Sequence, residues 1–510
     1  MVPPNAAIIA IDAGTTGVRA LAVSEAGEVL DISYRELTQH FPRPGLVEHD
    51  AAEIWHLVET TLAELCAQLA ARSGSNRPAI AAVGITNQRE TAVAWDLSSG
   101  HPLHRAIVWQ DRRTAERCEQ LEQAGHLPFV RQRTGLILDS YFSATKWQWM
   151  IEHGGVENGP NLALGTVDDW ICWRLTGGAH RGRHATDPSN ASRTLCYDIT
   201  ARAWSSELCE LFGVPGDRLG EVLPSSGRFG AISADVAGGC LAGVPVSGVA
   251  GDQQAALFGQ CCTEPGMTKV TYGTGSFVLM NLGARCPSPA DGLLTTVAWQ
   301  LGDTLTYALE GAVFASGATV QWLRDGLGII AHAGETEALA ASLSSNEGVY
   351  LVPAFTGLGS PWWDPHARAA VVGLTRGTGR AHLARASVEA MAYQTRDVLD
   401  RMAAVAGHPV PLLRADGGAS VMDLLLQFQA DQSSVGVVRP ANPEVTALGA
   451  AMLAGLAEGV WSSADDLTAL SPPAAVFERR ASRARVESDH GGWLRALERA
   501  KSWEHTPGAT

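Results

Sequence analysis

The sequence predicts an α/β protein made of two related halves facing each other across an interdomain cleft. Three observations lead there. At 510 residues the chain is longer than a single hydrophobic core usually serves. A glycine-threonine turn between two apolar runs occurs twice, as "AIIAIDAGTTGVRALAVS" (7–24) and as "MTKVTYGTGSFVLMNLG" (267–283), about half a chain apart. Each turn is followed by strand and helix patterns that suit a mixed sheet. The expected division is 1–254 and 255–510.

In the first turn, Gly14-Thr15-Thr16-Gly17 follows Asp12. It is neither a P-loop, which needs Lys-Ser/Thr and a helix, nor a dinucleotide fingerprint, which needs three spaced glycines and a helix. The residues after it, "VRALAVSEAGEVLDISY", are rich in Val, Leu and Ile with a further turn at "SEAGE", predicting a three-strand antiparallel meander. "DAAEIWHLVETTLAELCAQLAARSG" then places Ile54, Val58, Leu62, Leu65 and Leu69 at helical spacing, with aspartate at its start and Gly74 beyond its end. The continuous apolar run "AIAAVGITNQRET" predicts a strand buried on both faces. At mid-chain the second hairpin leads to "TLTYALEGAVFASGATVQWLRDGLG", a strand entering a Gly/Ala-rich helix. A third glycine cluster, "RADGGASVMDLLLQFQADQ", opens a helix whose first amides could face a nucleotide. Two hairpin tips and a helix N-terminus, gathered in a cleft, would hold a polyphosphate without a P-loop lysine.

Composition narrows the partners. A net charge of −15 argues against nucleic acid or an anionic membrane. The N-terminus "MVPPNAAIIAID" has no basic stretch before its apolar run, and no uncharged run approaches a membrane span, so a cytoplasmic protein is expected. Nine scattered cysteines, with no CxxC pair, read as buried free thiols of a reducing compartment rather than a disulfide framework.

Phosphoryl transfer needs a metal near the phosphates, N–H or cationic groups around them, and a base beside the accepting hydroxyl. In "SGVAGDQQAALFGQ", Asp252 is the candidate base; a helix N-cap is the alternative reading of the same residue, and the two roles are compatible. In "ITNQRETAVAW", Arg89 and Glu90 would point to opposite faces of a regular strand, so both can touch one ligand only if the strand ends there. Such a pair suits a small molecule with several hydroxyls, although an exposed ion pair at a strand end would look the same. Trp109, Tyr141 and Phe277 lie in nearby motifs and fit either an apolar pocket wall or ordinary core.

Together "TNQRET", "AIVWQDRRT", "YFSATKW", "TDPSNASRT", "SGVAGDQQAALFGQ", "YGTGSFVLMN", "ALEGAVFASGATVQWLRD", "FTGLGSPWWDPHARAAVVGLTRGT" and "EAMAYQTRDVL" resemble the glycerol kinases of the FGGY carbohydrate kinases. The resemblance runs in order from about residue 7 to about 460. It implies an α/β fold of two actin-like ATPase (ribonuclease H-like) domains, and phosphorylation of glycerol by ATP with Mg²⁺. By that resemblance Asp252 would be the base, and Arg89, Glu90, Tyr141 and Gln253 would bind the polyol, with Trp109 and Phe277 forming its apolar side. Thr15, Thr16 and Arg19 would belong to the first phosphate hairpin, and Thr274 to the second. Gly317, Gln321, Gly418 and Met422 would lie around the nucleotide, and Asp12 and Asp252 would face the metal. A homo-oligomer, dimer or tetramer, is expected on the same ground.

Two positions depart from the family pattern. Gly17 stands where a serine is usual, and Met422 stands in place of an asparagine in the third cluster. The competing functions are a sister kinase for another polyol or ketose and an actin-like ATPase serving assembly or chaperoning. The Arg89-Glu90 and Asp252-Gln253 pairs speak against the latter, which has no use for a polyol pocket.

Overall fold

The computed structural model describes residues 5–72 and 77–504. Gly74, expected beyond the first long helix, lies outside them. One sheet of thirteen strands organises the chain. In the first half its strands are β1 (Ala6–Ala13), β2 (Gly17–Ser24), β3 (Val29–Glu36), β4 (Ala79–Asn87), β5 (Ser226–Ala231) and β6 (Pro245–Gly251). Then come β7 (Thr268–Tyr272), β8 (Ser276–Gly283), β9 (Leu294–Leu301), β10 (Thr304–Val313), β11 (Leu413–Asp416), β12 (Val437–Pro440) and β13 (Pro473–Phe477). The helices needed below are α1 (Ala51–Ala70), α2 (Asp252–Gly259), α3 (Gly317–Gln321), α4 (Arg380–Ala406), α5 (Asp423–Ser433) and α6 (Val445–Ala457).

The strand order is β13-β12-β11-β7-β8-β10-β9-β5-β6-β4-β1-β2-β3. Within it the same plan appears twice. β1, β2 and β3 form the expected antiparallel meander, and β4 lies parallel beside β1. Likewise β7, β8 and β10 run antiparallel in succession, with β11 parallel beside β7. A further parallel strand follows in each half, β6 beside β4 and β12 beside β11. The halves meet in the sheet where β5 pairs with β9, Ser226 opposite Leu301.

Local chemistry explains the elements. Asp50 caps α1, its carboxylate accepting from the amides of Ala52 and Glu53, and Ile54, Val58, Leu62, Leu65 and Leu69 are all buried. β4 lies between β1 and β6, as its unbroken apolar run requires. The cysteines differ from expectation in one respect. Cys66 on α1 is joined to Cys240, 174 residues away, while seven others are free thiols. No spacing signal could reveal this pair, because only the packing of α1 against the segment after β5 brings the two together.

Helices α2 and α6 pack backbone against backbone. A Cβ added at Gly449 would lie 1.9 Å from the Ala255 carbonyl oxygen, and one at Gly259 would lie 2.0 Å from that of Val445. Only hydrogen in place of Cβ lets these helices touch. Gly449→Ala is therefore expected to cost about 1–3 kcal/mol through overpacking. A thermal unfolding midpoint unchanged from wild type would contradict that packing.

Candidate active site

The carboxyl ends of the parallel strands converge on one region. The register sets Ala13 and Gly251 beside Asn87, so the β1–β2 turn, the end of β4 and the start of α2 are neighbours. In the other half Thr271 lies opposite Asp416, which places the β7–β8 turn beside Gly417 and Gly418. Crevices outside the carboxyl ends of strands are where open α/β sheets bind ligands.

β4 ends at Asn87, and Glu90 takes a left-handed backbone conformation (φ 58°). That turn brings the neighbouring side chains to one side, with Arg89 Nε 3.6 Å from Glu90 Oε1. Arg89 also spans the carboxylate of Glu310, with Nη1 2.6 Å from Oε2 and Nη2 3.3 Å from Oε1. Arg193 closes the group, donating from Nε to Glu90 (2.6 Å) and from Nη2 to Glu310 (2.9 Å). All four residues are no more than 2 % exposed. Burial alone would raise the Glu310 carboxyl, but Arg193 and Arg89 hold it down at about 2. For Glu90 burial wins against the same two arginines, and its carboxyl lies above the usual range.

Asp252 is the first residue of α2 rather than its N-cap, which is Gly251. Its Oδ1 accepts from the Gln253 amide at 2.7 Å and lies 3.3 Å from Arg89 Nε. The side chain is 31 % exposed, unlike the closed group behind it. The approach to α2 is fixed from below. Gly251 donates to Ser189 Oγ, and Ser189 donates to the buried carboxylate of Asp187.

Tyr141 Oη accepts from Arg89 Nη2 at 3.1 Å, and burial raises the phenol's pKa. Trp109 lies edge-on to Tyr141 and Phe277, with ring centroids 5.7 and 6.4 Å away. These three rings and the Arg89 guanidinium, 5.9 Å from the Phe277 centroid, form one cluster. Trp109 Nε1 donates to Thr15 Oγ1 at 2.9 Å, tying the aromatic wall to the first hairpin.

In that hairpin Thr16 is exposed and Arg19 reaches two carboxylates, pairing with Glu444 and lying 3.8 Å from Asp12. Burial pushes the Asp12 carboxyl up to about 7, Arg19 opposes the rise, and Asp252 and Glu444 add to it. A cation beside Asp12 would favour its ionised form. No group of three or more metal-ligating side chains occurs among the described residues. Two carboxylates suffice for Mg²⁺, which keeps several waters and takes the rest of its shell from phosphates. The donor set fits that ion.

The departure at Gly17 has a steric cause. A Cβ there would lie 2.5 Å from the Tyr34 ring and hydroxyl and 2.6 Å from the Arg35 carbonyl oxygen. Across the cleft, Thr274 is exposed at its turn, and the carbonyls of Gly273 and Thr274 accept the amides of Ser316, Gly317 and Ala318 at the start of α3. Gln321 and Gly418 are exposed, and nothing lies within 4 Å of a Cβ added at Gly418. Met422 is buried at 7 % exposure in the apolar cluster beneath α5, with Val421 turned outward at 69 %.

Four further side chains join the group: Gln254, beside Gln253 in the same motif, and Glu310, Arg193 and Lys269, none of which the sequence marks as a site residue. Gln254 Oε1 accepts from Arg89 Nη1 at 3.2 Å. Lys269 donates to Gln253 Oε1, and burial lowers its ammonium to about 8 against the opposing pull of Asp416 and Asp252. The signal available for Glu310 and Lys269 was a lone charge inside an otherwise uncharged strand, "TLTYALEGAV" and "TKVTY".

The chain matches the FGGY family of carbohydrate kinases, N-terminal domain, over residues 7–259 and its C-terminal domain over 268–458. It belongs to the FGGY family of carbohydrate kinases. Among its relatives are a glycerol kinase of Dechloromonas aromatica, 52 % identical over 97 % of this chain and 98 % of that one, and a glycerol kinase of Trichlorobacter lovleyi, 51 % identical over 97 % and 99 %. The crystal structure of Plasmodium falciparum glycerol kinase with ADP superposes with a TM-score of 0.90 at 31 % identity, covering 97 % of this chain and 98 % of that one.

Glu310→Gln would leave two buried guanidiniums with one carboxylate between them. Breaking a buried pair in this way is expected to cost about 3–5 kcal/mol, visible as a lower denaturant midpoint. An unchanged midpoint would mean that the two arginines do not depend on Glu310.

Proposed function

We propose that this chain transfers the γ-phosphoryl group of ATP to a terminal hydroxyl of glycerol, giving sn-glycerol 3-phosphate and ADP. The observation that carries the reading is the partly exposed Asp252 carboxylate at the start of α2, directly beside the buried Arg89–Glu90 pair. Relatives about 50 % identical over nearly the full length bear the name glycerol kinase, which supports the choice of polyol.

In this reading Arg89, Glu90, Tyr141 and Gln253 hold the hydroxyls, while Trp109 and Phe277 cover the carbon backbone. Asp252 takes the hydroxyl proton as the oxygen bonds to the γ-phosphorus and the bond to the ADP oxygen breaks. Such a base is typically worth ~10²–10⁴ in rate. Thr15, Thr16, Arg19 and Thr274 hold the phosphates, and Gly317, Gln321, Gly418 and the α5 entrance at Met422 line the rest of the nucleotide. Asp12 and Asp252 would hold Mg²⁺, largely through water, and the ion would neutralise charge on the transferring phosphoryl group. The half 1–254 carries the polyol site and the first phosphate hairpin and the half 255–510 the nucleotide site, with α2 spanning the junction. A cytoplasmic setting suits a cytosolic nucleotide; no described helix is long and apolar enough to cross a membrane.

Release of ADP, measured with ATP and Mg²⁺ over a panel of polyols and ketoses, is expected to give the highest kcat/KM for glycerol. Dihydroxyacetone should follow more weakly. A higher value for xylulose or ribulose would move the assignment to a sister kinase.

Asp252→Asn retains size but cannot accept the proton, so kcat should fall by at least ~10². Retention of more than about a tenth of wild-type kcat would remove Asp252 from the base role and leave it as a helix-start residue.

A further inference from the structure

Lys269 projects from β7, in the second half, toward the first residues of α2. It is fully buried, and its Nζ donates to Gln253 Oε1 and, at 2.8 Å, to Thr271 Oγ1. Thr271 lies opposite Asp416, the last residue of β11, whose carboxylate accepts from Gln260 Nε2. The ammonium therefore sits between the carboxamide of Gln253 and the negative end of β11.

An ammonium can only donate, whereas a carboxamide carries one accepting and one donating end. Facing Lys269, Gln253 must present its oxygen, and the –NH₂ group is turned the other way. That Nε2 has no protein acceptor among the described residues, and Gln253 keeps 9 % exposure next to the more open Asp252. We propose that Lys269 is a positioning residue of the polyol site: it locks the Gln253 amide in one orientation, so that the site offers a substrate oxygen a fixed N–H donor. The inference rests on the placement of Gln253 in the polyol site. It gives the second half, which already supplies Glu310 to the group around Arg89, a further part in shaping the site.

The test compares glycerol and ATP kinetics of the full-length enzyme in Lys269→Met, Lys269→Arg, Gln253→Ala and the double variant Lys269→Met/Gln253→Ala. Lys269→Met should raise the glycerol KM roughly tenfold, the scale of one charge-assisted hydrogen bond, with the ATP KM within about twofold of wild type. Lys269→Arg, still a donor, should recover part of that loss. Because both changes remove one contact, the double variant should be no worse for glycerol than Gln253→Ala alone. A folded Lys269→Met enzyme with an unaltered glycerol KM, or a double variant showing the product of both losses, would overturn the proposal. Were Lys269→Met unable to fold, Lys269→Leu, which also lacks a donor, is read by the same criteria. An unaltered glycerol KM in Gln253→Ala would instead remove Gln253 from the polyol site and the proposal with it. A clear Gln253→Ala effect beside a silent Lys269→Met defeats the positioning role alone.

Discussion

The surroundings of Asp252 depend on one balanced group of buried charges. Arg89 and Arg193 share the carboxylates of Glu90 and Glu310, and none of the four has appreciable contact with water. Isolated, any one of them would be too costly to bury. Together they form a rigid lattice of fixed donors and acceptors. Its energetic merit over an apolar core is doubtful on general grounds, since desolvation offsets the attraction. Its merit for function is clearer: hydrogen-bonding groups held in place do not have to be reorganised when a hydroxylated ligand arrives.

This lattice is assembled from distant pieces. Arg89 and Glu90 follow β4, Arg193 follows a short helix capped by Asp187, and Glu310 comes from β10 in the second half. The group of four is thus complete only when both halves are docked. The repeated strand order explains how: each half brings its hairpin turn and the ends of its parallel strands to the same side of the sheet. A polar site here needs no inserted domain, only side chains at strand ends.

Local signals made much of this legible. Apolar runs on either side of the two glycine-threonine turns exposed both hairpins, helical spacing exposed α1, and the adjacency of Arg89 and Glu90 implied that their strand must stop. What stayed hidden is what depends on long-range contact. Arg193 and Glu310 are separated by 117 residues, and nothing local tells a paired buried charge from an exposed one. The Cys66–Cys240 link is hidden for the same reason. Gly17 looks like a lost hydroxyl in sequence, yet in space it is where Tyr34 and the Arg35 carbonyl leave no room for a side chain. Met422 suggested a contact with the nucleotide, whereas the fold turns it into the core and Val421 outward.

The glycine contact between α2 and α6 has a mechanical meaning. α6 follows β12 of the second half, yet it lies on β4 and β6, where a Cβ at Gly84 would meet the Ala450 carbonyl at 2.2 Å and one at Gly248 the Ala454 amide at 2.5 Å. Mechanically it is a piece of the first half. The chain therefore passes between the halves at three places: from α2 to β7, from β12 to α6, and from α6 back to β13. Three separate chain crossings restrain the two halves against free rotation more than a single linker would. Glu444, at the entrance of α6, adds an ion pair to Arg19 of the first hairpin, so α6 is tied to the first half by charge as well as by backbone contact.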